Sequence, residues 1–152
     1  MKIISHRGNL TGPDKKRENN IDCIIECIEK FSIDVEIDLH VKKNKIYLTH
    51  DEIFSSKTRI TSFDDFKKYK NKLWIHCKNI EALIYANENL SQFNYFGHTN
   101  DPFVLTSKKY IFTSPSLLTG DKVIWVMPEL INACNKVKNV YAVLTDYPLK
   151  FL

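Results

Sequence analysis

The sequence predicts an α/β chain whose parallel strands curl into a TIM-type (β/α) barrel of reduced size. Three observations carry this. Strand and helix patterns alternate along the chain, as in folds built on a parallel sheet. Two apolar runs end in reactive side chains: Ile3-Ile4-Ser5 leads into His6-Arg7-Gly8, and Ile46-Tyr47-Leu48-Thr49 into His50-Asp51. Between them, Asp34-Val35-Glu36-Ile37-Asp38-Leu39-His40-Val41 alternates apolar with acidic or basic residues at the period of a strand. Reactive groups gathered at strand ends are how α/β barrels build their sites.

The elements follow in order. Lys2 to Ser5 is a short buried strand. Ile21, Cys23, Ile24, Ile25, Cys27, Ile28 and Phe31 have helical spacing, with Asn19 or Asn20 as N-cap. After the central strand, Lys43-Asn44-Lys45 turns the chain into Ile46 to Thr49. The two runs are compatible with a hairpin, but the barrel reading places them as successive pieces around one site. A polar loop, Glu52 to Ile60, precedes a helix that starts at Thr61 with Ser62 as N-cap and acids in its first turn. Leu73 to Lys78 is a strand, Glu81 to Leu90 a helix and Phe93 to Gly97 a strand ending near His98 and Asp101. Tyr110 to Thr113, Val123 to Val126 and Tyr141 to Thr145 are further strands, and a helix over Pro128 to Val137 carries proline in its first turn. A complete (β/α)₈ barrel takes ~250 residues. This chain of 152 is expected to be a single domain spanning 1–152, with several helices shortened or missing and a very short connection from Thr113 to Val123.

Composition narrows the partners. Hydrophobic residues at 43% and aromatics at 12% suffice for a core. A net charge of +4 suits an anionic substrate but is too small to point to nucleic acid. Cys23, Cys27, Cys77 and Cys134 form no C-x-x-C pair, and Cys23 and Cys27 lie one helical turn apart as packing residues. The N-terminus does not read as a signal peptide, and no stretch approaches the ~20 apolar residues of a membrane span. A cytoplasmic protein with reduced thiols is the expectation.

His6-Arg7-Gly8, Glu18-Asn19, Glu36-Ile37-Asp38, His50-Asp51 and the terminal Thr145-Asp146-Tyr147-Pro148 occur in order and at fitting intervals. In that ordered set the sequence resembles the glycerophosphodiester phosphodiesterase family, as a shortened and divergent relative within the phosphatidylinositol-phospholipase-C-like phosphodiesterases. The resemblance implies a TIM-type barrel that hydrolyses phosphodiesters with a divalent metal, a chemistry of lipid metabolism. It implies His6 and His50 as the acid/base pair, Arg7 on phosphoryl oxygens, Glu36 and Asp38 as metal ligands, and Glu18 beside the metal or phosphate.

The chain departs from that family's pattern in two places. The family carries E-x-K on its third strand, where this chain has His76-Cys77-Lys78. The family's metal would be Mg or Ca, whereas an imidazole at His76 suits Mn or Zn. The family also has a helical insertion after the H-D strand, and here only the loop from Glu52 to Ile60 stands in that place. A more open site fits a small or polymer-linked phosphodiester.

The residue types suit the reaction. Phosphodiester hydrolysis builds charge on phosphoryl oxygens, which a cation and an Arg fork stabilise. One histidine protonates the leaving oxygen while another takes a proton from the nucleophile. Residues two apart on a strand share a face, so Glu36 and Asp38 can hold one ion. His40 continues that face as a ligand, a substrate contact or a hydrogen-bonded filler. Lys78 lies on the side of His76 and can reach phosphate. Plain structural roles stand beside these: Glu18 as a helix-start acid, His76 as a core histidine, His98 as a loop residue and Asp146 as a turn residue. Two other functions stay open, a degenerate relative that binds phosphate compounds or a partner without turnover, and a lyase that releases a cyclic phosphate. Missing helices would expose strand faces, which leaves a homodimer as a hypothesis.

Overall fold

Alternating Val35, Ile37 and Leu39 bury one face of the central strand, while the acids between them turn inward and are buried too. The computed structural model describes residues 1–115 and 118–152. The strands are β1 (Lys2–His6), β2 (Asp34–Lys42), β3 (Lys45–Leu48), β4 (Arg59–Ile60), β5 (Leu73–Cys77), β6 (Asn94–Phe96), β7 (Phe103–Leu105), β8 (Ile111–Thr113), β9 (Gly120–Val126) and β10 (Val140–Thr145). The α-helices are α1 (Ile21–Lys30) and α2 (Ile80–Asn89).

Parallel ladders run from β6 through β5, β2, β1, β10 and β9 to β8. Inward residues of six of these strands, Ile4, Trp74, Phe96, Phe112, Ile124 and Leu144, meet in one cluster, so the sheet curls on itself. Among the described residues no ladder joins β6 to β8. Across that seam the Ser107 amide donates to the Tyr95 carbonyl at 2.8 Å, and the Tyr95 amide donates to Ser107 Oγ at 3.0 Å. The result is a curled half-barrel, consistent with the expected reduction. Both α-helices pack outside it, setting Ile24, Cys27, Ala82 and Ala86 against Val35, Ile37 and Ile75.

The caps explain where the helices start. Asn20 accepts from the Asp22 and Cys23 amides, which selects Asn20 over Asn19 as the cap of α1. Asn79 accepts from the Ala82 amide and donates to the Val41 carbonyl at 2.8 Å, pinning α2 to β2.

Several expectations need correction. β2 and β3 form an antiparallel hairpin and are not successive pieces of the barrel. A parallel return needs a crossover of a dozen residues or more. Here Lys43 and Asn44 turn the chain alone, at φ of 50° and 58°, the left-handed pair of a type I′ turn. The helix expected over Pro128 to Val137 is two 3₁₀ turns, Pro128–Ile131 and Cys134–Lys136. Asn132 at φ 53° breaks it. The helix after Ser62 is a six-residue 3₁₀ segment, Asp64–Tyr69. β4 and β7, of two and three residues, are too short to show a period and were not expected. The short connection before β9 falls on 114–119, of which 116 and 117 lie outside the described residues. Among the described residues, no helix is long and apolar enough to cross a membrane.

Candidate active site

The site grows from the register of two strands. β2 projects Glu36 and Asp38 from one face, and the pairing Asp38↔His76 sets β5's histidine beside them. His76 Nδ1 lies 3.5 Å from Glu36 Oε1 and 3.4 Å from Asp38 Oδ1. Glu36 is 2% exposed and Asp38 0%. One ligand atom from each of the three falls within 4.8 Å of the others.

A tight reversal after β1 brings in the next layer. Arg7 and Gly8 have φ of 58° and 89°; the left-handed conformation costs roughly 1–2 kcal/mol for a residue with a Cβ, and such outliers gather at functional sites. Here the Arg7 amide donates to the Glu36 carbonyl at 2.9 Å, and the Asn19 amide to the Arg7 carbonyl at 2.8 Å. The Arg7 side chain then meets Asp38 Oδ2 through Nε at 2.8 Å and Glu18 Oε2 through Nη1 at 3.3 Å. Asn19 grips Asp38 twice: its Nδ2 donates to Asp38 Oδ2 at 3.1 Å, and its Oδ1 accepts from the Asp38 amide at 2.8 Å. Lys78 Nζ stands 4.0 Å from Asp38 Oδ1.

These contacts set the charge states. Burial pushes the Asp38 carboxyl up, but His76, Arg7 and Asn19 outweigh it and hold it far below the usual carboxylate range. Burial pushes His76 down, and the Asp38 and Glu36 carboxylates more than reverse that. Glu36 Oε2, Asp38 Oδ1 and His76 Nε2 are nonetheless buried without a hydrogen-bond partner. Buried polar atoms are rarely left so. Two carboxylate oxygens and an imidazole nitrogen are a donor set that fits a divalent cation, so the residues present suit the metal implied by the resemblance.

His6, at the end of β1, is held through Nδ1 by Asp146 Oδ1 at 2.8 Å. Asn9 Nδ2 donates to the same oxygen at 2.7 Å. Glu129 accepts from the Asp146 amide and from Thr145 Oγ1, each at 2.9 Å, and so fixes the end of β10. Burial pushes Asp146 up, yet His6 and Asn9 hold it below its ordinary value. The structure thus gives Asp146 a role that its turn position in the sequence left open, with T-D-Y-P as the signal. Asn9 and Glu129 are partners that sequence reasoning missed, because nothing local marks them; Asn19 stands in the Glu18-Asn19 motif and as a possible helix cap, and its grip on Asp38 appears only in the folded chain.

The structure therefore joins Arg7, Glu18, Glu36, Asp38, His76 and Lys78 in one network of side chains. His50 stands half-exposed on the strand-end loop, its Nδ1 2.8 Å from Asp51 Oδ1. His50 holds the Asp51 carboxyl low, with Lys15 and Arg7 adding to it. His40 is set apart: it is buried, its Nδ1 is 2.9 Å from the Thr49 carbonyl, and its ring meets Phe54 edge-on at 5.5 Å. His98 stacks parallel on His76 at 4.7 Å, and Phe96 stacks on it at 4.8 Å.

No protein-family model matches the sequence, and no curated protein does. Solved structures do match it by fold. A glycerophosphodiester phosphodiesterase from Agrobacterium tumefaciens aligns with a TM-score of 0.53 and 14% identity, covering 97% of this chain and 96% of that one. Another from Parabacteroides distasonis aligns with a TM-score of 0.51 and 13% identity, covering 98% and 94%. The likeness is one of fold and spans nearly the whole chain, so this half-barrel is similar in architecture to the glycerophosphodiester phosphodiesterases that its motifs resemble.

Proposed function

We propose that this chain is a phosphodiester hydrolase that uses a divalent cation held by Glu36, Asp38 and His76, with Glu18 steadying Arg7 beside it. The observation that carries the reading is the cluster of Glu36, Asp38 and His76, which brings one ligand atom from each within 4.8 Å of the others and leaves a buried atom of each unpartnered, with the His6–Asp146 pair ending the neighbouring strand. When bound, the cation offsets charge on the phosphoryl oxygens. Arg7 has five N–H donors and gives one to Glu18; its remaining outer guanidinium N–H groups take phosphoryl oxygens, and Lys78 adds a point charge. With Nδ1 fixed by Asp146, His6 carries its mobile proton at Nε2. His50 is the second proton carrier. His40, hydrogen-bonded to the Thr49 carbonyl one residue before His50, helps fix the end of the hairpin that presents that side chain. The substrate is a small or polymer-linked phosphodiester.

A second reading, a binder without turnover, rests on one contact. Arg7 Nε at 2.8 Å from Asp38 Oδ2 already neutralises that carboxylate. A panel of phosphodiesters, assayed with Mg, Mn, Ca or chelator, separates the two. The expected result is metal-dependent turnover that falls by about 10²–10⁴ in His6→Ala. Metal binding without turnover of any diester favours the second reading, and a protein that binds no divalent metal overturns the first. Phosphorus NMR of the products distinguishes hydrolysis from release of a cyclic phosphate.

A further inference from the structure

Beside the candidate metal ligands lies a cavity of ≈ 120 Å³ that the proton carriers and phosphate contacts do not use. Its walls are Phe96, Phe103, Val104, Phe112, Val126 and Leu144. We propose that it receives the apolar part of one alcohol of the phosphodiester, a group the size of an aromatic ring or a short branched alkyl chain. The position of the phosphate in this proposal rests on the phosphodiesterase reading.

Three observations lead to this occupant. The first is position. Phe96 and His98 both line the cavity, and both stack on His76, at 4.8 and 4.7 Å. A phosphate at His76 therefore carries its ester oxygen to the cavity mouth. The second is size and chemistry. A cavity of about 150 Å³ takes benzene, and this one is similar in scale, although it opens to solvent beside the exposed Phe103. Among the described lining residues, the hydroxyls are those of Thr113 and Ser114, and the acid is Asp101. Hydroxyls of a polar alcohol would give up water there for few partners, and Asp101 repels the phosphate toward Arg7 and Lys78. The third is cause. No ladder closes β6 against β8 among the described residues, and the connection between them carries β7, paired antiparallel with β8, with no described helix in it. The inner face is thereby left open to a ligand at that point.

The test compares glycerol phosphodiesters whose second alcohol is methyl, butyl or benzyl, because these leaving alcohols are similar in basicity. The benzyl diester is expected to exceed the methyl diester in kcat/KM by about 10- to 100-fold, the range that hydrophobic pockets give for added apolar bulk. Val104→Trp fills the cavity and is expected to collapse that ratio. Phe103→Ala, at an exposed wall residue, lowers it without disturbing the core. Binding of benzylphosphonate against methylphosphonate, measured by calorimetry with Mn present, reads the same preference without turnover.

Turnover of all three diesters at equal kcat/KM overturns the pocket and leaves the hydrolase. Tighter binding of benzylphosphonate with no turnover of any diester overturns the hydrolase and leaves the pocket. Equal affinity for the two phosphonates, or a preference untouched by both variants, ends the proposal.

Discussion

At the residue scale, the site depends on side chains that hold other side chains. Asp146 is the clearest case. Asp146→Asn leaves His6 without its carboxylate and is expected to lower turnover by roughly 10²-fold. The same change has a signed effect on stability. The folded protein depresses the Asp146 carboxyl, so its stabilising contribution is present above the usual carboxylate range and is lost as pH falls through the folded value. Melting temperatures of wild type and Asp146→Asn should differ once pH is above the ordinary carboxylate range, about pH 4, and draw together as pH falls below that range through the lower folded value. Asn19 makes the opposite kind of demand. Its two bonds to Asp38 satisfy a buried amide and a buried carboxylate, and its backbone stands at φ 58°. Asn19→Ala is expected to cost about 1–3 kcal/mol. Urea denaturation of that variant beside Asn19→Gly, which tolerates the φ, separates the bonds from the backbone.

At the scale of elements, the β2–β3 hairpin shows local chemistry overriding the barrel pattern. Its left-handed turn is made by Lys43 and Asn44, neither of them the residue such turns favour most. Replacing the pair with Asn-Gly should raise stability by up to about 1 kcal/mol, read as a shift in the denaturation midpoint at unchanged slope. The packing of α1 and β5 against each other's layer predicts a labelling pattern. Burial pushes the Cys77 thiol up to about 12, and burial raises Cys27 as well. A thiol reagent is expected to reach the partly exposed Cys134 and Cys23 in the native protein, leaving Cys27 and Cys77 unmodified until denaturant is added. Mass spectrometry of time points decides this, and rapid native labelling of Cys77 would mean that β5 is not where the site requires it.

At the scale of the molecule, two clusters stabilise the sheet unequally. The outer one couples both α-helices to β2 and β5. The inner one fills the curl and reaches the seam between β6 and β8, where hydrogen bonds through Ser107 replace a ladder. Native-state hydrogen exchange should therefore be slowest in β1, β2 and β5 and fastest in the β7–β8 hairpin. Uniform protection across all the described strands would contradict an open seam.

The helices α1 and α2 between strands, the inward acids Glu36 and Asp38, the strand-end His6 and Arg7, and a chain too short for a full ring of helices are all legible in the sequence. They are so because side-chain period and cap chemistry act over a few residues. Other features exist only in the folded chain. Asp38 pairs with His76, Asp146 crosses 140 positions to hold His6, Asn19 serves the buried Asp38 instead of the helix cap, and among the described residues no ladder joins β6 to β8 beside His98. Strand register and closure depend on which distant segments pair, and no local period encodes that choice.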